Sequence, residues 1–204
     1  SVVAIGARYN DGGGSNSGHV RIYENDNGTW TQIGSDIDGE SSSDYSGSSV
    51  SLSADGSVVA IGAYGNDGGG SNSGHVRIYE NNNGTWTQIG SDIDGESSSD
   101  YFGWSVSLSG DGSVVAIGAQ RDDDAAYDAG HVRIYENNNG TWTQIGSDID
   151  GEYNSDFSGS AVSLSGDGSV VAIGGIYNDG NGSNSGHVRI YQNINNDWVK
   201  IGDD

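Results

Sequence analysis

Carboxylates are the residues of this chain whose spacing most readily suggests chemistry. Asp36, Asp38, Glu40 and Asp44 fall close together around a glycine. The set returns as Asp92, Asp94, Glu96 and Asp100, and again as Asp148, Asp150, Glu152 and Asp156. Oxygen ligands gathered on a flexible loop suit a hard cation such as Ca2+, which takes roughly six to eight of them. Two plainer readings compete. The loop is a solvated acidic connection whose first Asp caps a turn, or the preceding strand runs on through it. A second acidic stretch is Arg121–Gly130, where Asp122, Asp123, Asp124 and Asp128 stand together. It suits a cation or a basic partner, or is a surface loop that has drifted.

Other candidates are aromatic or amide groups. Trp104, beside Phe102, is the single Trp outside a recurring set at 30, 86, 142 and 198, and it is the candidate for an asymmetric contact. The recurring Trp residues read as core, or as exposed platforms for sugar rings. Asn27, Asn83, Asn139 and Asn181 fit the N-glycosylation pattern, which matters if the protein is secreted by a eukaryote. The first three also precede Gly in hairpin turns, a sufficient reason for their presence. The glycine-rich stretches 10–18, 66–74 and 178–186 lack the Lys and following helix of a phosphate loop. His, Arg and Tyr recur together at 19–23, 75–79, 131–135 and 187–191. An enzyme needs one asymmetric set, so this identity predicts a structural role and a chain that is not an enzyme.

These residues must be positioned by a repeat. Ser-Val-Val-Ala-Ile-Gly begins at 1, 57, 113 and 169, a constant step of 56. The 204 residues are twenty short of four full repeats, and the missing piece corresponds to Ile37–Gly56. There is no initiator Met, so the N-terminus reads as a processed or cut end. Each repeat reads as four short strands. Strand a, Ser-Val-Ser-Leu-Ser, alternates apolar and polar residues. Strand b, Val-Val-Ala-Ile-Gly, is apolar on both faces. Strand c is His-Val-Arg-Ile-Tyr, and strand d is Thr-Trp-Thr-Gln-Ile-Gly after an Asn-Gly hairpin. The prediction is an all-β chain: a β-propeller of four-stranded antiparallel blades, the first lacking strand a. Residues 1–36 form a partial blade, and 37–92, 93–148 and 149–204 form the other three in one array.

Composition narrows the classes. Seven Lys and Arg against 29 Asp and Glu leave a formal net charge of −22. That charge repels nucleic acid and anionic membranes. Without cysteine there is no disulfide framework or thiolate metal site. No apolar run is long enough for a membrane helix. High charge and low aliphatic content alone would suggest disorder, but the apolar residues are strictly periodic.

Phe102-Gly-Trp-Ser-Val-Ser-Leu-Ser-Gly-Asp-Gly-Ser-Val-Val-Ala-Ile-Gly-Ala119, followed by Gly130-His-Val-Arg-Ile-Tyr135, resembles the FG-GAP repeat. That family builds the propeller of integrin α-chain heads and of many microbial surface proteins, and this chain is most similar to the variant common in marine microbes. The resemblance implies an extracellular or cell-surface, non-catalytic adhesion or scaffold module, with a protein or glycan ligand or other copies of itself as partner. A lectin-like propeller, with or without Ca2+, is the alternative. Ser46 and Ser158 replace the motif's Phe in other copies. Many family members carry a calcium loop between strands a and b. Here it is reduced to Asp55, Asp111 and Asp167, each alone before Gly, and the site is not carried over.

Overall fold

The computed structural model describes residues 1–203, and among them every regular element is a β-strand. The first sheet holds β1 (Val2–Gly6), β2 (His19–Asp26), β3 (Thr29–Gln32) and the dipeptide β4 (Ile37–Asp38). The second holds β5 (Ser49–Leu52), β6 (Val58–Ala63), β7 (His75–Asn82), β8 (Thr85–Gln88) and β9 (Ile93–Asp94). The third holds β10 (Phe102–Leu108), β11 (Val114–Ala119), β12 (His131–Asn138), β13 (Thr141–Gln144) and β14 (Ile149–Asp150). The fourth holds β15 (Ser158–Leu164), β16 (Val170–Gly175), β17 (His187–Ile194) and β18 (Asp197–Ile201). Each sheet is an antiparallel meander in chain order. The first sheet begins with the strand that is second in its neighbours, so strand a is absent there.

The turns follow from residue type. Asn27 and Gly28 both have positive φ, 50° and 92°, the pattern of a type I′ hairpin. In the fourth sheet Asn195 and Asn196 take the same role at 57° and 69°. Asn tolerates this region because its side chain bonds the local backbone. The outermost strand is interrupted. β8 pairs with Tyr79–Asn82 of β7, while β9 returns to pair with His75 and Val76. The predicted acidic loop thus contains a short continuation of strand d, with Asp92 just before it and Asp94 within it.

Alternation places two apolar faces on each sheet, and stacking buries them. Ala60, Val76, Ile78 and Ile93 of the second sheet meet Phe102, Val106, Leu108, Val115 and Ile117 of the third. Equivalent residues form the junction of sheets three and four, and that of sheets one and two. Gly103 lies at the edge of one junction with φ +81°, where a Cβ would strike the His75 carbonyl oxygen and Val76. Only glycine allows that approach. The two outward faces of the stack have no such cover. Ile5 and Trp30 are each 51 % exposed on the first sheet, and Val188 is 58 % exposed on the last.

Candidate functional site

The three acidic quartets do not each converge on one point. Asp36 accepts Arg21 Nε at 2.9 and 3.0 Å, Arg21 Nη2 at 2.8 Å and Gln32 Nε2 at 2.8 Å. These bonds, the Arg21 pair first, hold its carboxyl down to about 2. Asp38 pairs with His19 across the strand. Glu40 instead reaches Arg77 of the next blade. Asp44 turns inward, buried, where it accepts Ser41 N at 2.9 Å and Asn66 Nδ2 at 3.3 Å. The other copies behave alike. Arg133 Nη2 joins Glu96 of the preceding blade at 2.8 Å to Asp148 of its own at 2.6 Å, and Arg189 pairs with Glu152. The recurring Arg is therefore a clamp between blades. A charge on a short loop is readable from spacing, but the side of the chain it leaves from is not.

What the structure does gather is one His with two carboxylates at three places. They are His19 with Asp36 and Asp38, His75 with Glu40 and Asp92, and His131 with Asp148 and Asp150. In each, one ligand atom per residue lies within 4.8 Å of the others, so these clusters could hold a metal ion. Asp55, the remnant of the family's calcium loop, does not fit that use. Its Oδ1 already accepts Ser53 Oγ, Ser57 N and Ser57 Oγ.

Three of the recurring Trp residues are neither fully core nor free platforms, while Trp30 is exposed on the outward face of the first sheet. Trp86 Nε1 donates to the Ile33 carbonyl of the preceding blade at 2.9 Å, and Trp142 and Trp198 repeat this with Ile89 and Ile145. Beside each Trp a groove opens between two blades. The first is lined by Asp36, Asp38, Tyr79 and Trp86 and measures about 410 Å³. The second, with Asp92, Asp94, Tyr135 and Trp142, is about 360 Å³, and the third, with Asp148, Asp150, Tyr191 and Trp198, about 340 Å³.

Trp104 belongs to a different surface. Its ring lies 4.9 Å from Tyr64 and 6.3 Å from Tyr101, in a row continued by Tyr45 and Tyr9. Arg8 lies over Tyr9, and Arg121 over Tyr101. Of the predicted loop acids, Asp123 closes the turn by accepting Asp128 N at 2.6 Å, as Asp67 does for Asn72. Asp124 is exposed, while Asp122 is buried against His131. The four sequon residues Asn27, Asn83, Asn139 and Asn181 are all exposed.

Sequence reasoning placed Asp100, Asp122 and His131 in three separate features, and the fold brings them together. Burial and the nearby Asp122 charge push the Asp100 carboxyl up to about 6. Burial also acts on Asp122, but its contact with His131 outweighs it and lowers that carboxyl. The signal was present in the 56-residue register, where Asp122 stands at the position of Asn10, Asn66 and Asn178.

No curated protein matches the chain in sequence. Among solved structures it is similar to the periplasmic gluconolactonase of Pseudomonas aeruginosa, with a TM-score of 0.56 at 16 % identity over 94 % of this chain and 50 % of that one. It is also similar to Kuenenia stuttgartiensis hydrazine synthase, with a TM-score of 0.52 at 11 % identity over 90 % of this chain and 43 % of that one. The chain thus spans half or less of the length of either structure, and the likeness is one of fold. It corrects one expectation. Repetition of the same residues in every blade predicted a chain that is not an enzyme, yet both of these propeller structures are enzymes. A repeated scaffold leaves room for one asymmetric site, so repetition is no argument against catalysis. The model described as FG-GAP repeat matches residues 36–79 and 92–135. These segments run from the acidic loop through strands a, b and c, and over them the chain matches the FG-GAP repeat; its four sheets stack as blades of a β-propeller.

Proposed function

We propose that the chain is an extracellular adhesion and scaffold module that takes glycan chains in the grooves between its blades. The observation that carries this reading is the threefold repetition of one groove, each lined by a Trp, a Tyr and two Asp. An aromatic face packs on the apolar face of a sugar ring, and carboxylates accept its hydroxyls. Three equal sites at fixed spacing convert weak single contacts into firm attachment to a polymer. In the first and third grooves the paired Asp beside a His leaves a place for Ca2+ to bridge protein and sugar, and in the second Glu40 and Asp92 stand beside His75. A net charge of −22 favours neutral glycans and disfavours nucleic acid. A glycan array, run with and without Ca2+, tests the reading. Binding that falls when Asp38, Asp94 and Asp150 are changed together to Asn supports it, and an empty array in both conditions overturns it.

A second reading, assembly of the chain with copies of itself, is favoured by the two outward faces. Ile5 and Trp30 on the first blade have the positions that Ile61 and Trp86 use to cover the preceding blade. Val188, Ile190 and Ile201 on the last blade have the positions that Val20, Ile22 and Ile33 use to receive the next. The three internal junctions are the template for a head-to-tail contact between two copies. Sedimentation across a range of concentrations is the test. Association that Ile190→Lys abolishes supports it, and a monomer at every concentration excludes it.

A further inference from the structure

The copies of the repeat are not equally alike along their length. Residues 19–40, 75–96 and 131–152 differ at a single position, 26 and its equivalents. The differences gather at one end of the blades. Phe102 of β10 pairs with Ala119 of β11, so the residues just before strand a and just after strand b share that end. After strand b stand Arg8 and Tyr9 in the first blade, Tyr64 in the second, and Gln120 and Arg121 in the third. At the start of strand a, Trp104 takes the place that Ser48 and Ser160 hold in the neighbouring blades. These side chains meet in one row. Tyr45 stacks on Tyr64 at 5.2 Å, with Tyr9 5.8 Å from Tyr45 on one side and Trp104 4.9 Å from Tyr64 on the other. Tyr45 and Tyr101 reach the row with φ of 57° and 59°, a region bulky side chains rarely adopt. The row is half-buried in its middle, and Tyr9 at its end is 60 % exposed.

The second observation is where the arginines go. Arg21, Arg77, Arg133 and Arg189 pair with carboxylates as clamps. Arg8 and Arg121 make no ion pair among the described residues, in a chain with 29 Asp and Glu. Both lie on the aromatic row instead. The Arg8 guanidinium is 4.7 Å from the Tyr9 ring centre, and that of Arg121 is 5.1 Å from Tyr101 and 5.9 Å from Phe157. The acids of the adjoining loops, Asp44 and Asp100, are buried and accept the Ser41 and Ser97 amides. A guanidinium held flat on a ring keeps its N–H edge for a planar carboxylate, which it meets with two parallel hydrogen bonds. Aromatic rings supply apolar surface for sugar C–H groups, and phenol hydroxyls supply hydrogen bonds. We propose that this rim binds an acidic polysaccharide, its uronate carboxylates held by Arg8 and Arg121 and its sugar rings laid along the aromatic row. The two arginines stand on the first and third blades, so a ligand that engages both is a chain and not a single sugar. The net charge of −22 opposes a polyanion at long range, but that field is screened beyond about 8 Å at physiological salt. The rim is separate from the inter-blade grooves, which present carboxylates and not arginines.

Calorimetric titration of the whole chain with oligogalacturonate at physiological salt tests the site. The wild type is expected to bind. Arg8→Gln, which installs the residue the third blade carries at that position, and Arg121→Gln should each weaken binding by about tenfold or more, since each removes a charged hydrogen-bonding group. Trp104→Ser installs the residue of the neighbouring blades, is therefore compatible with the fold, and should weaken binding by about threefold or more. The variant with Asp38, Asp94 and Asp150 changed to Asn should bind oligogalacturonate as the wild type does, which separates this site from the grooves. No binding by the wild type, or unchanged affinity in both arginine variants, would overturn the proposal. Polyglutamate bound as tightly as oligogalacturonate would overturn it too, because the rim would then read charge without the sugar.

Discussion

The same side chains lead different lives at the junctions between blades and on the two outward faces. Ile61, Ile117 and Ile173 are at most 2 % exposed, while Ile5, with the same sequence around it, is 51 % exposed. Arg77 and Arg133 have side chains 9 % and 4 % exposed and bridge two blades, whereas Arg21 is 44 % exposed and turns back to Asp36 of its own blade. Nothing local distinguishes these copies. The difference is the neighbouring sheet, so the stability of the array resides in its interfaces as much as in its units.

Truncating the shared isoleucine should give the largest contrast. Ile117→Ala opens a cavity between the second and third blades and should cost about 2–5 kcal/mol in urea unfolding. Ile5→Ala should cost about 0.5 kcal/mol or less in dilute solution, as for an ordinary surface change. Equal losses would break the comparison, because they would mean that the Ile5 face is covered in solution.

The clamp arginines come next. Arg133→Met leaves Asp148 and Glu96 without their cation in a partly buried place, and about 1–3 kcal/mol should be lost. Arg21→Met removes an exposed pair and should cost about 0–1 kcal/mol, less in high salt. Below these lies the indole bond. Trp142→Phe leaves the Ile89 carbonyl without its donor at a loss of about 1 kcal/mol, while Trp30→Phe, on the open face, should not be measurable in thermal unfolding.

How much of this is legible in the sequence depends on the distance between partners. The Asn-Gly turns and the alternation along strands are local, and the φ values of Asn27 and Gly28 agree with them. The identical Arg in every copy correctly signals a shared structural task. Its partner, Glu40 for Arg77, is in another blade and cannot be found from spacing. The acidic quartets mislead for a related reason. Residues 36 to 44 are close in the chain, but a short strand at Ile37–Asp38 and a turn send their carboxylates to different neighbours. Asp122 is visible as a break in the repeat, while Asp100, which makes that break consequential, lies 22 residues earlier.

The smallest effect should be blind to the comparison altogether, which makes it a control. Asp55 in the second blade and Asp167 in the terminal fourth blade each close a turn within five residues. Asp55 accepts Ser57 Oγ, Ser57 N and Ser53 Oγ, and Asp167 accepts Ser165 Oγ, Ser169 N and Ser169 Oγ. These bonds favour the ionised form and hold both carboxyls down to about 2. The folded value lies below the unfolded one, so the contribution to stability is complete above about pH 4 and lost as pH falls toward 2. Carboxyl NMR titration should find the two midpoints together, although one blade is covered on both faces and the other on one. Replacing Ser57 or Ser169 by Ala should return the corresponding midpoint toward about 4 without moving its counterpart. A terminal Asp167 that titrates well above Asp55 would mean that the last blade is loosened as a unit. The contrast between junctions and outward faces would then reach the local turns as well as the packing.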